Sequence, residues 1–316
     1  MSERQAAYYP GRPASESKTE YAPAIPRQRD YETYIQTQVD RATRRSRNLR
    51  GFRDWLNPHL RKLVDTKLKG VNVIQENERP QTSDGRGFII TPFHQNAFDV
   101  PVIAKVVPER FIPLAGMDSM RGFGNLPNRI FNYANEVVPI ERGRSEKSRL
   151  SCEIGKRLMV QLAKDGMMMV HFLSGTWEPE LGLPSGYYKS GADEAHESDK
   201  TLLTLGMDYV LKDEKKGEWD VYTRWGTPFD VREHSDPIAA ISQHHQNDLQ
   251  MQIDMWNEHH TTDFHSEAAQ QEYKYNRGLW IRDFPLDPKR EAEATLLFRK
   301  SPEEAYRMFG VEDSQQ

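Results

Sequence analysis

The 316-residue chain holds a single cysteine, Cys152. That excludes an internal disulfide and any multi-cysteine zinc site, and it favours a reducing compartment. The residues around it, Ser151, Glu153 and Ile154, have a helical pattern and supply nothing to activate a thiol, so Cys152 reads as structural. Long apolar runs are missing as well. None approaches the roughly 20 residues a spanning helix needs, and the first residues show no charged-then-apolar leader pattern. The expectation is a chain without a membrane span, at most seated on a membrane surface. Charge of one sign is not in excess: 43 lysines and arginines stand against 47 acids, a net charge of −4, which gives no basis for a general nucleic-acid role. Metal motifs are absent too. His244, His245, His259, His260 and His265 are half of the ten histidines, but adjacent histidines face different sides of a helix and no acid–histidine zinc spacing occurs. Packed or solvated imidazoles are expected there, and no metal.

What is present is unevenly spread. The length suits two average domains, or one α/β domain with extensions. Residues 1–28 mix tyrosine and proline with serine, glutamate and alanine, without periodicity, and are expected to be a disordered tail. From 27 to 69 there are 12 basic residues and five acids, a net +7 in a chain that is negative overall. The apolar residues Leu49, Phe52, Trp55 and Leu56, then Leu60, Leu63, Val64 and Leu68, recur at three and four, with Asn57-Pro58 as the expected break between two helices. Basic amphipathic helices over 29–69 fit an anionic membrane surface. Packing of the same apolar stripe on the main domain fits them too, and the two are compatible.

From 71 to 172 short apolar runs alternate with helical patterns. Strands are expected at 71–74, 88–91, 110–115, 137–140 and 167–172. Helices are expected at 100–107, 129–134 and 147–164, the last closed by Asp165-Gly166 and carrying Leu150, Ile154, Leu158 and Leu162 on one face. This is the order of an α/β sheet covered by helices, whose sites lie at the carboxyl ends of the strands. Gly122-Phe123-Gly124 lacks the spacing of a nucleotide-binding fingerprint and reads as a turn. Beyond 231, Asp236-Pro237 is a helix start, and an apolar stripe runs from Ile238 to Trp256. Ser301-Pro302-Glu303-Glu304 is a capping box for a last short helix.

One stretch carries chemistry. In Thr91-Pro92-Phe93-His94-Gln95-Asn96-Ala97-Phe98-Asp99 a strand ends on a loop with a histidine, and an aspartate follows five residues later. A neutral imidazole takes a proton from an alcohol near neutral pH, and a carboxylate on its other nitrogen fixes the tautomer. The same two residues also fit a loop histidine and a helix cap.

The order of several segments is more specific. Residues 69–99, ending in His94-Gln95-Asn96-Ala97-Phe98-Asp99, resemble the lead-in strand and H-x4-D block of the glycerolipid acyltransferase family. Val138-Pro139-Ile140-Glu141-Arg142 is similar to its second block and Phe172-Leu173-Ser174-Gly175-Thr176-Trp177 to its third. Lys189-Ser190-Gly191-Ala192, the strand-like run 202–209 and the segment 221–231 follow in the family's order. The resemblance covers roughly 69–232. It implies an α/β domain at 70–232 with a central mixed sheet flanked by helices, to which the apolar periodicities add helical extensions at 29–69 and 233–316. It also implies direct acyl transfer from acyl-CoA or acyl-carrier protein to a hydroxyl of lysophosphatidic acid, glycerol 3-phosphate or a related lipid, without a further cofactor. His94 would be the base and Asp99 its orienting partner. Arg142, with Arg144 as a second candidate, would hold the acceptor phosphate, and Ser174, Gly175 and Thr176 would form the oxyanion or acceptor loop. The implied place is the inner face of a membrane, on the cytoplasmic side.

The sequence departs from the family at five positions. Phe93 stands where asparagine is usual. Leu173, Ser174 and Trp177 replace the proline, glutamate and arginine of the third block, and Thr204 replaces a proline in the fourth. Three readings fit the altered third block: a different acceptor, a phosphate-bearing acceptor with compensation from Glu178 or Glu180, or a catalytically lost acyl-lipid-binding or scaffolding protein.

Overall fold

The structure, a computed structural model, describes residues 28–81, 87–95, 99–116, 137–140, 146–173, 180–182 and 187–283. The tail before 28, the turn at 122–127, the helix expected at 129–134 and the capping box at 301–304 lie outside the described residues.

Seven strands form one mixed sheet: β1 (Val71–Gln75), β2 (Phe88–Pro92), β3 (Phe111–Gly116), β4 (Val138–Ile140), β5 (Met168–Val170), β6 (Thr201–Asp213) and β7 (Glu218–Trp225). Their order across the sheet is β1-β7-β6-β2-β5-β3-β4. The strands β6, β2, β5, β3 and β4 are mutually parallel, and β7, with β1 beside it, runs the other way. The α/β class and the mixed sheet are as expected. All five residues of β2 and the first nine of β6 are buried, the signature of central strands covered on both faces. By contrast β7 alternates buried and half-buried positions.

The covering helices are α1 (Gln28–Lys67), α2 (Asp99–Val106), α3 (Glu146–Lys164), α4 (Ser190–Ser198), α5 (Pro237–His259) and α6 (Glu267–Asp283). Asp236 caps α5 by accepting from the Ile238 N–H, which satisfies one of the donors a helix start leaves open. Helix α4 was not legible in the sequence because its buried face is made of Gly191, Ala192, Glu194 and Ala195 rather than large apolar residues. A Cβ at Gly191 would lie 2.2 Å from Leu173 Cδ2, so a side chain there would require the buried Leu173 side chain to shift.

Three sequence expectations are corrected. Helix α1 does not break at Asn57-Pro58; it runs 40 residues with Pro58 inside it. Proline removes one backbone hydrogen bond, but Pro58 and Asp54, whose carbonyl loses its partner, are both exposed, and Leu60, Val64 and Leu68 beyond it are buried. The inward stripe also differs from expectation. It runs Ile35, Val39, Thr43, Ser46, Arg53, Leu60, Val64 and Leu68, which leaves Phe52 and Trp55 exposed. Helix α1 is pinned by Arg47, whose Nε and Nη2 each donate to Asp165 at 2.7 Å, and by Arg157 reaching Glu32 at 2.8 Å. Finally, Cys152 is exposed: α3 buries Gly155, Met159, Leu162 and Ala163, and of the predicted face only Leu162 is fully buried while Leu150, Ile154 and Leu158 are half-buried.

The segment beyond 233 is built into the same core. Trp280 of α6 is buried and packs edge-on against Trp219 of β7 and against Tyr209 of β6, with centroids at 5.1 and 4.4 Å. Trp280→Ala is expected to cost about 3–5 kcal/mol, read as a lower midpoint in urea denaturation. A loss below about 1 kcal/mol would mean that α6 is not part of the folding unit.

Candidate functional site

The strand β2 ends at Pro92 and its ladder continues one residue further, where the Phe93 N–H donates to Leu205 O at 3.2 Å. The Phe93 side chain is fully packed, so the chain turns immediately and delivers His94 at the carboxyl edge of the sheet. There His94 Nδ1 lies 3.0 Å from Asp99 Oδ2. The imidazole also stacks on Phe172, just past the end of β5, at a centroid distance of 4.0 Å. The histidine and aspartate that sequence alone left open as loop residue and helix cap are thus in direct contact.

Asp99 has no solvent exposure, and a buried carboxylate is tolerable only when donors surround it. Three are supplied. Oδ2 accepts from the Gln95 N–H at 2.8 Å as well as meeting His94. Oδ1 accepts from the hydroxyl of Tyr209 on β6. Gln95 in turn donates from Nε2 to Met207 O at 2.7 Å. Tyr209 and Gln95 are therefore the residues that hold the pair in place, and sequence reasoning missed both. Gln95 sat within the motif, but Tyr209 lies 110 positions from Asp99, and no periodicity links them.

Of the other expected site residues, Arg142, Arg144, Ser174, Gly175 and Thr176 lie outside the described residues. The strands that precede them are described: β4 ends at Ile140 and β5 at Val170, both parallel to β2. Beneath this edge His171 Nδ1 is 2.8 Å from Glu194 Oε2, both side chains buried. Burial pulls the imidazole down, but the charge and hydrogen bond of Glu194 outweigh it and leave His171 above the ordinary histidine range.

Thr204 begins a second buried polar group. Its hydroxyl donates to Asp248 Oδ1 on α5. Tyr187 donates to Asp248 Oδ2 at 2.8 Å, and His244 Nε2 is 3.5 Å from Asp248 Oδ2 and 3.1 Å from Thr91 Oγ1. The contact between His244 and Asp248 has the geometry of an ion pair, but both groups are almost wholly buried. Burial pulls His244 down to about 3. It pushes Asp248 up to about 7, against the hydrogen bonds from Thr204 and Tyr187. Desolvation wins over the charge contact, and between about pH 3 and 7 the two meet as neutral groups. The cluster clamps α5 onto β2 and β6.

No protein-family model matches the chain, and neither does any curated protein. Among solved structures, the 1-acyl-sn-glycerophosphate (LPA) acyltransferase PlsC from Thermotoga maritima is similar, at 17% sequence identity and a TM-score of 0.50. The match covers 73% of this chain and 95% of that one. The two share a fold. At this identity the likeness speaks to architecture, and the chemistry rests on the residues at the edge of the sheet.

The protonation of Asp248 is open to measurement. Its folded value is raised, so the native state keeps a proton that the unfolded chain loses above about 3.8. The stability it contributes is fully present below that pH and is lost as pH rises through about 7. The difference in unfolding free energy between Asp248→Asn and the unsubstituted protein is therefore expected to move in the variant's favour from pH 4 to 7, with a slope of up to about 1.4 kcal/mol per pH unit. A flat difference would show that Asp248 is ionised in the fold. His244, with its value lowered, has the opposite slope below about 6.5, which is why the comparison is made variant against parent.

Proposed function

We propose that the protein is an O-acyltransferase that moves a fatty acyl group from acyl-CoA or acyl-carrier protein to a hydroxyl of a lipid acceptor of the lysophosphatidic acid or glycerol 3-phosphate kind. The observation that carries this reading is the contact between His94 and the buried, three-donor Asp99 at the carboxyl edge of a sheet shared with an acyltransferase. Nδ1 is turned to Asp99, so Nε2 is the atom that takes the acceptor's proton. The acceptor oxygen attacks the thioester carbonyl, and the tetrahedral intermediate collapses with loss of the thiolate, which recovers the proton from the imidazolium. The products are an ester and a free thiol, with no acyl-enzyme. Asp99 stabilises the imidazolium between the two proton transfers.

In this reading Arg142 pairs with the acceptor phosphate through its planar fork, with Arg144 in second place. Backbone donors of the Ser174-Gly175-Thr176 segment receive the oxyanion. No residue is assigned to a metal. The protein works at a membrane surface, on the cytoplasmic side. No helix among the described residues is long and apolar enough to cross a membrane. Support comes from the outer face of α1, where Phe52 and Trp55 are exposed and in ring contact at 5.9 Å, in a helix rich in arginine. Aromatic side chains flanked by cations suit an anionic interface.

The test is transfer by the purified protein with each donor across a panel of lipid acceptors. His94→Ala is expected to lower turnover by at least about a thousandfold, and Asp99→Asn to lower it substantially while the fold is kept. Transfer surviving His94→Ala would remove the proposed base. Thioester binding without transfer to any acceptor would leave an acyl-lipid-binding protein on this fold. Separately, Phe52→Ser combined with Trp55→Ser is expected to reduce sedimentation with anionic vesicles by about tenfold without changing the melting temperature. Unchanged sedimentation would take the membrane contact away from α1.

A further inference from the structure

His94 stands beside a carboxylate that has no solvent to spread its charge, and a bare pairing of that kind would hold the imidazole as a cation. A cationic imidazole has no lone pair for an alcohol's proton. Whatever else bonds Asp99 therefore decides whether His94 can act as a base. Oδ2 faces His94 and the Gln95 N–H, and Oδ1, the oxygen His94 does not use, accepts from the Tyr209 hydroxyl. That hydroxyl is held from behind. The Tyr209 ring is buried and lies against Trp280 of α6 at 4.4 Å and 58°, and Trp280 is braced edge-on by Trp219 at 5.1 Å. A phenol wedged in this way keeps its donor aimed, without reorganising, when a proton moves.

With His94 neutral the pair carries one negative charge, and with a proton bound it carries none. A donor on Oδ1 stabilises the first state more than the second, because in the second the proton already compensates the carboxylate. Removing that donor raises the pair's affinity for a proton, whichever of the two groups the proton rests on. Charged groups on the surrounding elements have other partners. Asp208, next to Tyr209 on β6, is 2.9 Å from His259 and 3.1 Å from His260. Lys105 of α2 reaches Asp65 of α1, and Arg61 of α1 donates to Val107 O. His171 pairs with Glu194 on the face of the sheet opposite Phe172, since successive side chains of an extended segment alternate. Arg277 of α6 lines, with Gln95, Asp208 and Tyr209, a narrow cleft that Gln252 adjoins. Its charge is the same in any Tyr209 variant and cancels in the comparison.

We propose that Tyr209 is a positioning residue of the proposed reaction: by donating to the carboxylate oxygen that His94 leaves open, it keeps the imidazole unprotonated and available as a base at neutral pH. Asp99 still stabilises the imidazolium once the acceptor's proton has arrived. The role goes beyond holding the pair in place, since it sets the proton affinity of His94 as well as its position. It also ties the base to the C-terminal helices, because α6 supplies the wall that fixes the ring. The kinetic consequence rests on the acyl-transfer reading; the titration of His94 does not.

The test is NMR titration of the full-length protein labelled at its ten histidines, with the His94 signal assigned by its loss in His94→Ala. In Tyr209→Phe, which keeps the ring against Trp280, the His94 midpoint is expected to rise by about one pH unit, the size of one hydrogen bond to a charged group. A ring-fluorinated tyrosine in place of Tyr209, a stronger donor with the same contacts, should lower it. That variant gives up no buried bond, so it decides the sign even where Tyr209→Phe does not fold. Made in Asp99→Asn, Tyr209→Phe should leave the midpoint where Asp99→Asn alone puts it. Where the parent transfers acyl groups, the acidic limb of turnover should move up with the midpoint. Tyr209→Phe is then about tenfold slower than the parent on the acidic side and equal to it on the alkaline side. A parent without transfer removes the acyltransferase reading, and the NMR titration still decides the role of Tyr209. The proposal is overturned by an unchanged or lowered midpoint in Tyr209→Phe, by an unchanged or raised one with the fluorinated tyrosine, by the same rise in the Asp99→Asn background, or by a Tyr209→Phe turnover depressed equally at every pH.

Discussion

The parallel pairing of β2 with β6, from Phe88 opposite Thr201 to Pro92 opposite Leu205, sets where everything else at the site can stand. Because side chains alternate along a strand, this register puts Thr91 beside Thr204, so that both reach α5. It also lets β6 overhang the end of β2. The overhang supplies Met207 O to Gln95 and the Tyr209 hydroxyl to Asp99. A slip of one residue would turn both faces over, taking Tyr209 from Asp99 and leaving a buried carboxylate short of a donor. The register is therefore held by polar demands as well as by the core.

Those demands explain why the helices beyond 233 are integral. Helix α5 is tied to the sheet by Asp248 in its middle and by His259 and His260 at its end, while α6 covers Tyr209 and Trp219 with Trp280. The segment that resembled nothing in the sequence thus packs behind the histidine–aspartate pair and shapes the cleft beside it. Thr204 shows the same logic at the scale of one residue. The Thr204 hydroxyl, which a proline could not supply, anchors Asp248 of α5 to the sheet.

Legibility in the sequence followed the range of the interactions. Strands and helices with a period of two or near 3.6 were read close to their places, and the His94–Asp99 contact was readable because a five-residue loop can close on itself. Helix α1 was misjudged at Pro58, since a local helix-breaking tendency of about 3 kcal/mol was outweighed by burial of Leu60, Val64 and Leu68 against distant parts of the chain. The facing of Phe52 and Trp55 was missed for a related reason. Spacing alone gives an apolar set, but which members turn inward is decided by the partner surface, and here Arg53 took the inward position.

The sequence by itself determined the α/β class, the order of the strands, and the presence of an imidazole and a carboxylate close enough to pair, because these depend on neighbours within a few residues. Only the tertiary structure decided what holds that pair and what stands behind it. Tyr209, Asp208, Arg277 and Gln252 reach this region from β6, α5 and α6. Long-range contacts of this kind are specified by sheet register and helix packing, which leave no pattern along the chain.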